Sequence, residues 1–186
     1  MITNILKENI NLMLICLFFF ILGSPFGFIL FEETEGVLLP SLEQIKELIM
    51  DESRFQTALN IFFNNLRVCL ILLVSGTFIL PSFFIMFGNG FLVGFVLKLI
   101  LEKNRGPFFF IKGIFLHSIL ELPAIFISAA VGLRIGLSYL TRDNEGRVDK
   151  VSQGIKEAAV IYLFVVIPLL LIAAFIEAFI SAELVM

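Results

Sequence analysis

The sequence is poor in the residues that soluble chemistry uses. Only 16% of its residues are charged, and it holds one histidine, two cysteines and no tryptophan. Soluble domains carry about 25% charged and roughly 45–50% apolar residues; here the hydrophobic fraction is 59%. A soluble chain of 186 residues could not cover that apolar surface with polar groups, so lipid is the expected solvent. Without tryptophan the interfaces have only Tyr139 and Tyr162 to mark them, both toward the ends of apolar runs. A net charge of −3 gives no case for a nucleic-acid partner. Cys16 and Cys69 lie inside apolar runs and read as small buried hydrophobes, not as a disulfide or a metal site. There is no G-x-S-x-G, P-loop, H-E-x-x-H or dinucleotide fingerprint, so no catalytic residue and no cofactor is expected. The loops are too short for a catalytic domain, so an enzyme would have to do its chemistry inside the membrane.

What is present is a series of long apolar runs. Residues 10–31 carry no charge before Glu32 and can span a hydrocarbon core, which takes about 20 helical residues. The run is too long for a signal-peptide core and lacks an A-x-A site, so it reads as a retained membrane helix. Residues 32–57 break the pattern as an acidic, extramembrane segment. Within it Pro40-Ser41 opens a short amphipathic helix, Ser41 and Gln44 fit a capping box, and Leu42, Ile45, Leu48 and Ile49 share a face. The acids favour packing of that face on the protein over binding to a membrane surface. Residues 58–101 are too long for one crossing and Pro81 divides them, which predicts helices over 58–80 and 82–101, then a turn at 102–107. Residues 108–140 are interrupted by Pro123. A hydrophilic loop is expected over 141–156, and a last span over 157–182 kinked at Pro168.

The expected fold is therefore an all-α, polytopic transmembrane bundle forming one membrane domain, with five or six spans and proline-broken helices. A weak repeat at an offset of 42 residues bears on the count. Leu80-Pro81 aligns with Leu122-Pro123, and Gly90 and Gly94 align with Gly132 and Gly136. Two hairpins with Leu-Pro tips would give six crossings, with 108–122 a short or re-entrant half-helix buried in protein. They would also put the basic stretches 98–112 and 141–156 on one side, the cytoplasm by the positive-inside rule. A single crossing over 108–140 would give five spans and termini on opposite sides.

Ionised groups cost about 2.5–3.5 kcal/mol at the bilayer centre and mark the places to look. Arg67, in Asn64-Asn65-Leu66-Arg67, sits toward the start of its expected helix. It either snorkels to the interface or is held by the asparagines and helix carbonyls. Arg134 lies near the end of its run, where snorkelling is again plausible. His117 and Glu121 are i and i+4 and share a helix face just before Pro123. Two such residues are too few for zinc, so no metal is assigned. In the hairpin arrangement Glu177 reaches the same depth, with Asn89 deeper. The expectation is an intramembrane polar site of His117, Glu121, Glu177 and Asn89, to be given up if the carboxylates lie over about 15 Å apart. Ala124, Ser128, Gly132 and Gly136, and Gly90 with Gly94, form smooth faces for close helix packing.

The set Asn64-Asn65-Leu66-Arg67, Asn89-Gly90, His117-x-x-x-Glu121-Leu-Pro, Gly132-Leu-Arg134-x-Gly136 and Ala173-Ala174-Phe-Ile-Glu177-Ala-Phe-Ile-Ser181 resembles the stage II sporulation protein M family over roughly residues 10–182. Ser118 stands where the family usually has Gly, and Ala182 where it usually has Pro. The resemblance implies a small multi-pass protein of the cell membrane. It also implies a scaffold for partner proteins, which in sporulating bacteria degrade peptidoglycan. A scaffold or assembly component, with protein partners or as a homo-oligomer, is the leading expectation. A transporter or channel using the His/Glu site is the alternative, and an intramembrane metalloenzyme the third.

Overall fold

The computed structural model describes residues 1–104, 116–140 and 144–181, apart from the side chains of residues 116, 117, 144, 145, 147 and 181. Among these residues the structure is helical. Helix α1 spans Ile2–Ile29, α2 Phe31–Ile49, α3 Arg54–Gly76, α4 Leu80–Glu102 and α5 Leu116–Leu140. Helix α6 is a continuous helical run made of Asn144–Ile161, a π turn Tyr162–Val166, Ile167–Ile176 and a second π turn Glu177–Ser181. Five helices, all but α2, are long and apolar enough to cross a membrane.

Local chemistry sets the boundaries. Helix α3 starts where Ser53 accepts a hydrogen bond from the Gln56 N–H, and the Thr57 hydroxyl oxygen accepts from the Asp51 N–H at 3.0 Å. It ends at a reversal of only three residues. Ile79 has φ 64° and ψ −70°, and the Leu80 N–H bonds the Phe78 carbonyl at 2.8 Å. That is a γ-turn, a strained conformation that a β-branched residue rarely takes. Pro81 then starts α4 with its fixed φ.

Helix directions follow from who touches whom. Phe19 stacks on Phe83 and Phe26 meets Phe87, so α4 runs parallel to α1. Gly76 meets Gly132, and Gly136 meets Thr77, so α5 runs parallel to α3. Helix α6 returns antiparallel to both, with Tyr162 at Cys69, Phe175 near Phe55, and Gly154 against Ile135. Helix α5 is central: 67% of its apolar window is buried, against 22–33% in the other four spans. The end of the bundle that carries α2 also holds the starts of α3 and α5 and the ends of α4 and α6. The other end holds the chain start and the Thr77–Ile79 turn.

Four expectations change. Helix α5 passes through Pro123 unbroken, so the 116–140 stretch is one crossing and Leu122-Pro123 is no hairpin tip. In a helix packed among others, neighbouring groups can re-satisfy what proline frees. Of the re-entrant segment, residues 108–115 lie outside the described residues. With one crossing here the basic stretches before and after α5 flank opposite ends of it, and the charge argument for sidedness lapses. Helix α2 begins at Phe31, nine residues before Pro40, and the Ser41 hydroxyl donates to the Val37 carbonyl instead of capping. The expected hydrophilic loop is helical from Asn144 onward; at about 1.5 Å per residue α6 is much longer than a hydrocarbon core, so one end projects beyond it.

The two π turns serve the packing of α6. Ala158, Tyr162, Val166, Leu170, Ala174 and Ala178 are all buried, at strict four-residue spacing. Four residues of plain α-helix overshoot a turn by about 40°, so such a stripe would swing away from the core within a few turns. Each π turn is wider and absorbs the surplus. The first also lies just ahead of Pro168, where a tighter ladder would clash with the carbonyl four residues back. At Pro168 the helix is widened, not broken.

Candidate functional site

The polar interior lies where α3, α5 and α6 meet. Tyr162 donates to the Cys69 carbonyl at 2.6 Å, and the Ser128 hydroxyl donates to the Ala124 carbonyl of its own helix at 2.7 Å. Ser128 lies beside both the Cys69 thiol and the Tyr162 hydroxyl. All three residues are buried. Sequence reasoning placed Tyr162 at an interface and Cys69 and Ser128 in apolar packing. The signal missed was spacing: the end of the apolar run is not the end of α6, so Tyr162 lies inside the bundle.

Toward the α2 end of this network come Glu121 on α5 and Glu177 on α6, both partly buried. Because α5 and α6 are antiparallel, the two carboxylates come to similar depth, and they are within electrostatic reach of each other. Glu177 begins the second π turn. The backbone of His117 lies one turn before Glu121 in α5, and its side chain is outside the described residues. Asn89 is elsewhere: it donates to the Ile85 carbonyl of its own helix at 2.8 Å, and α4 packs chiefly on α1. Among the described residues no three metal-ligating side chains converge.

The remaining sequence-predicted residues separate by role. Arg134 bridges two acids at the other end of the bundle, Glu8 of α1 at 2.5 Å and Glu157 of α6 at 2.9 Å. It therefore joins three helices instead of snorkelling alone. Asn65 is buried and accepts from Asn64 at 3.4 Å, whereas Asn64 itself is exposed. Arg67 is also exposed. Since α3 starts at Arg54, Arg67 is the fourteenth of 23 residues and sits mid-helix, not near the start.

The glycines lie where helices approach most closely. A Cβ on Gly90 or Gly94 would strike the α1 backbone at Phe20 or Ser24, and one on Gly23 or Gly27 would strike the α4 backbone at Phe87 or Phe91. In each case the slot a Cβ would take is aimed at a carbonyl oxygen, the arrangement of a Cα–H···O contact. Gly132 meets the α3 backbone at Leu73, and Gly136 the backbone of Thr77 just past its end, in the same way. Gly23 and Gly27 escaped sequence reasoning, which matched glycines only within the repeat.

No curated protein and no solved structure is matched by this chain. The family model described as Stage II sporulation protein M matches residues 1–182, nearly the whole chain. With five membrane-length helices behind that match, this multi-pass membrane protein belongs to the stage II sporulation protein M family.

Proposed function

We propose that the protein is a scaffold or assembly component of a complex in the cell membrane, with other membrane proteins as its partners. The observation that carries this reading is a contrast between inside and outside. Inside, glycines bring backbones together and hydroxyls are tied to carbonyls, which favours a fixed bundle over a moving one. Outside, one apolar groove of about 670 Å³ runs along α3 and another of about 650 Å³ lies between α3 and α6, neither lined by Glu121 or Glu177. Helix α2 would lie outside the membrane as an acidic platform, since it carries Glu32, Glu33, Glu35, Glu43 and Glu47 and is not among the helices long and apolar enough to cross. Affinity purification of the tagged chain from native membranes is expected to bring down a defined membrane partner in fixed ratio. Recovery of the chain alone under several mild detergents would count against the proposal.

A second reading rests on the two neighbouring carboxylates. Intramembrane acids recur along ion and proton paths, so Glu121 and Glu177 could carry a transport site, with His117 beside them. Reconstituted liposomes decide between the two. Ion or proton flux lost in Glu121→Gln and Glu177→Gln would establish transport. Absent flux, or flux indifferent to both changes, leaves the scaffold.

A further inference from the structure

We infer that the exposed face of α3 is a docking site for a transmembrane helix of another protein that carries an aspartate or glutamate at mid-bilayer depth. The reason is Arg67. It lies on the outer surface with about 20 Å of helix between it and Arg54 and about 14 Å between it and Gly76. Snorkelling serves arginines near helix ends, and Arg67 is near neither end of α3. Among the described residues Arg67 has no ion pair. Asn64, one turn away, is exposed beside it. A cation and an amide facing hydrocarbon at this depth would be costly unless something polar covers them.

The surroundings say what that is. Arg67 lies in the 670 Å³ groove, which runs from Phe63 past Leu70 and Val74 to Phe78 and Pro81. From Phe63 to Phe78 it extends about 22 Å, most of a bilayer crossing. Its lining is otherwise almost wholly apolar, so it suits a hydrophobic helix with one charge set opposite the guanidinium. A second copy of this chain does not supply that charge. Helix α1 has no acid between Glu8 and Glu32 and α4 none before Glu102; Glu157 of α6 is paired with Arg134, and Glu121 and Glu177 are partly buried between α5 and α6. Two copies joined α3 to α3 would bring two arginines together. The carboxylate therefore comes from a different protein. This docking deepens the scaffold reading and rests on it.

The test uses the full-length chain in phosphatidylcholine vesicles with a labelled leucine-based peptide of about 20 residues bearing one central Glu, Gln or Lys. Energy transfer should show the Glu peptide associating about tenfold more tightly than the Gln peptide. Arg67→Leu should erase that preference, and Arg67→Glu should transfer it to the Lys peptide. Equal binding of Glu and Gln peptides, or a preference that survives Arg67→Leu, overturns the inference. So does peptide-displaceable energy transfer between two labelled copies of the chain, which would make a second copy the occupant. If Arg67→Leu fails to fold, the Arg67→Glu and Lys-peptide pair decides alone. Native partners that co-purify equally with wild type and Arg67→Leu would refute this docking while leaving the scaffold intact. Peptide binding without any native partner would do the reverse.

Discussion

Two glycines on one helix, two residues apart, give the sharpest check on the packing of this bundle. A Cβ on Gly88 meets nothing within 4 Å, so Gly88→Ala gains helix propensity and costs no contact. A Cβ on Gly90 would lie 2.8 Å from the carbonyl carbon of Phe20, with the carbonyl oxygen nearer still. Ordinary contact begins near 3.4 Å and the oxygen is the limiting atom, so α1 and α4 would have to part by well over an ångström. The obstacle is backbone and cannot swing aside as a side chain would. Separation at Gly90 also loosens Gly94, Gly23 and Gly27, which share the interface. Gly90→Ala is expected to destabilise by about 1–3 kcal/mol, the usual range for overpacking. Gly88→Ala should be neutral or stabilising by up to about 1 kcal/mol. Reversible unfolding in mixed detergent micelles measures both. If the two variants unfold within about 0.5 kcal/mol of each other, the close approach of α1 and α4 is wrong.

Arg134→Met should destabilise by about 1–2 kcal/mol, because it leaves Glu8 and Glu157 without their shared cation; the figure allows for their partial exposure. A double-mutant cycle with Glu157→Gln should return a non-zero coupling, and additive effects would contradict the bridge. Tyr162→Phe removes the 2.6 Å bond to the Cys69 carbonyl and should cost about 0.5–1.5 kcal/mol, read by the same unfolding assay. An unchanged midpoint would mean that this bond does not hold α6 to α3.

Apolar run lengths made the membrane helices legible, and the pair of prolines shows where legibility stopped. Leu80-Pro81 and Leu122-Pro123 look alike in sequence. The first follows a γ-turn at Ile79 and starts a helix; the second is carried through α5. What separates them is the surrounding bundle, which no local pattern encodes. The same limit misplaced Tyr162 and Arg67: each was positioned relative to the end of an apolar run, and both helices extend past those ends into polar sequence. The similar depth of Glu121 and Glu177 was reached by way of a hairpin at Pro123 that does not exist. In the fold it follows from α5 and α6 running antiparallel.

A π turn is an α-helix holding one residue more than its turns require. Removing one residue from Tyr162–Val166 would turn everything beyond it by about 100° relative to everything before it. Ala173, Ala174 and Glu177 all lie beyond. A single-codon deletion there would leave the composition and hydropathy of α6 nearly unchanged, yet carry Glu177 from the bundle interior toward lipid. The spatial address of this carboxylate is thus written as a residue count three turns away, and an insertion or deletion in that stretch would rewire the polar interior without touching any of its members.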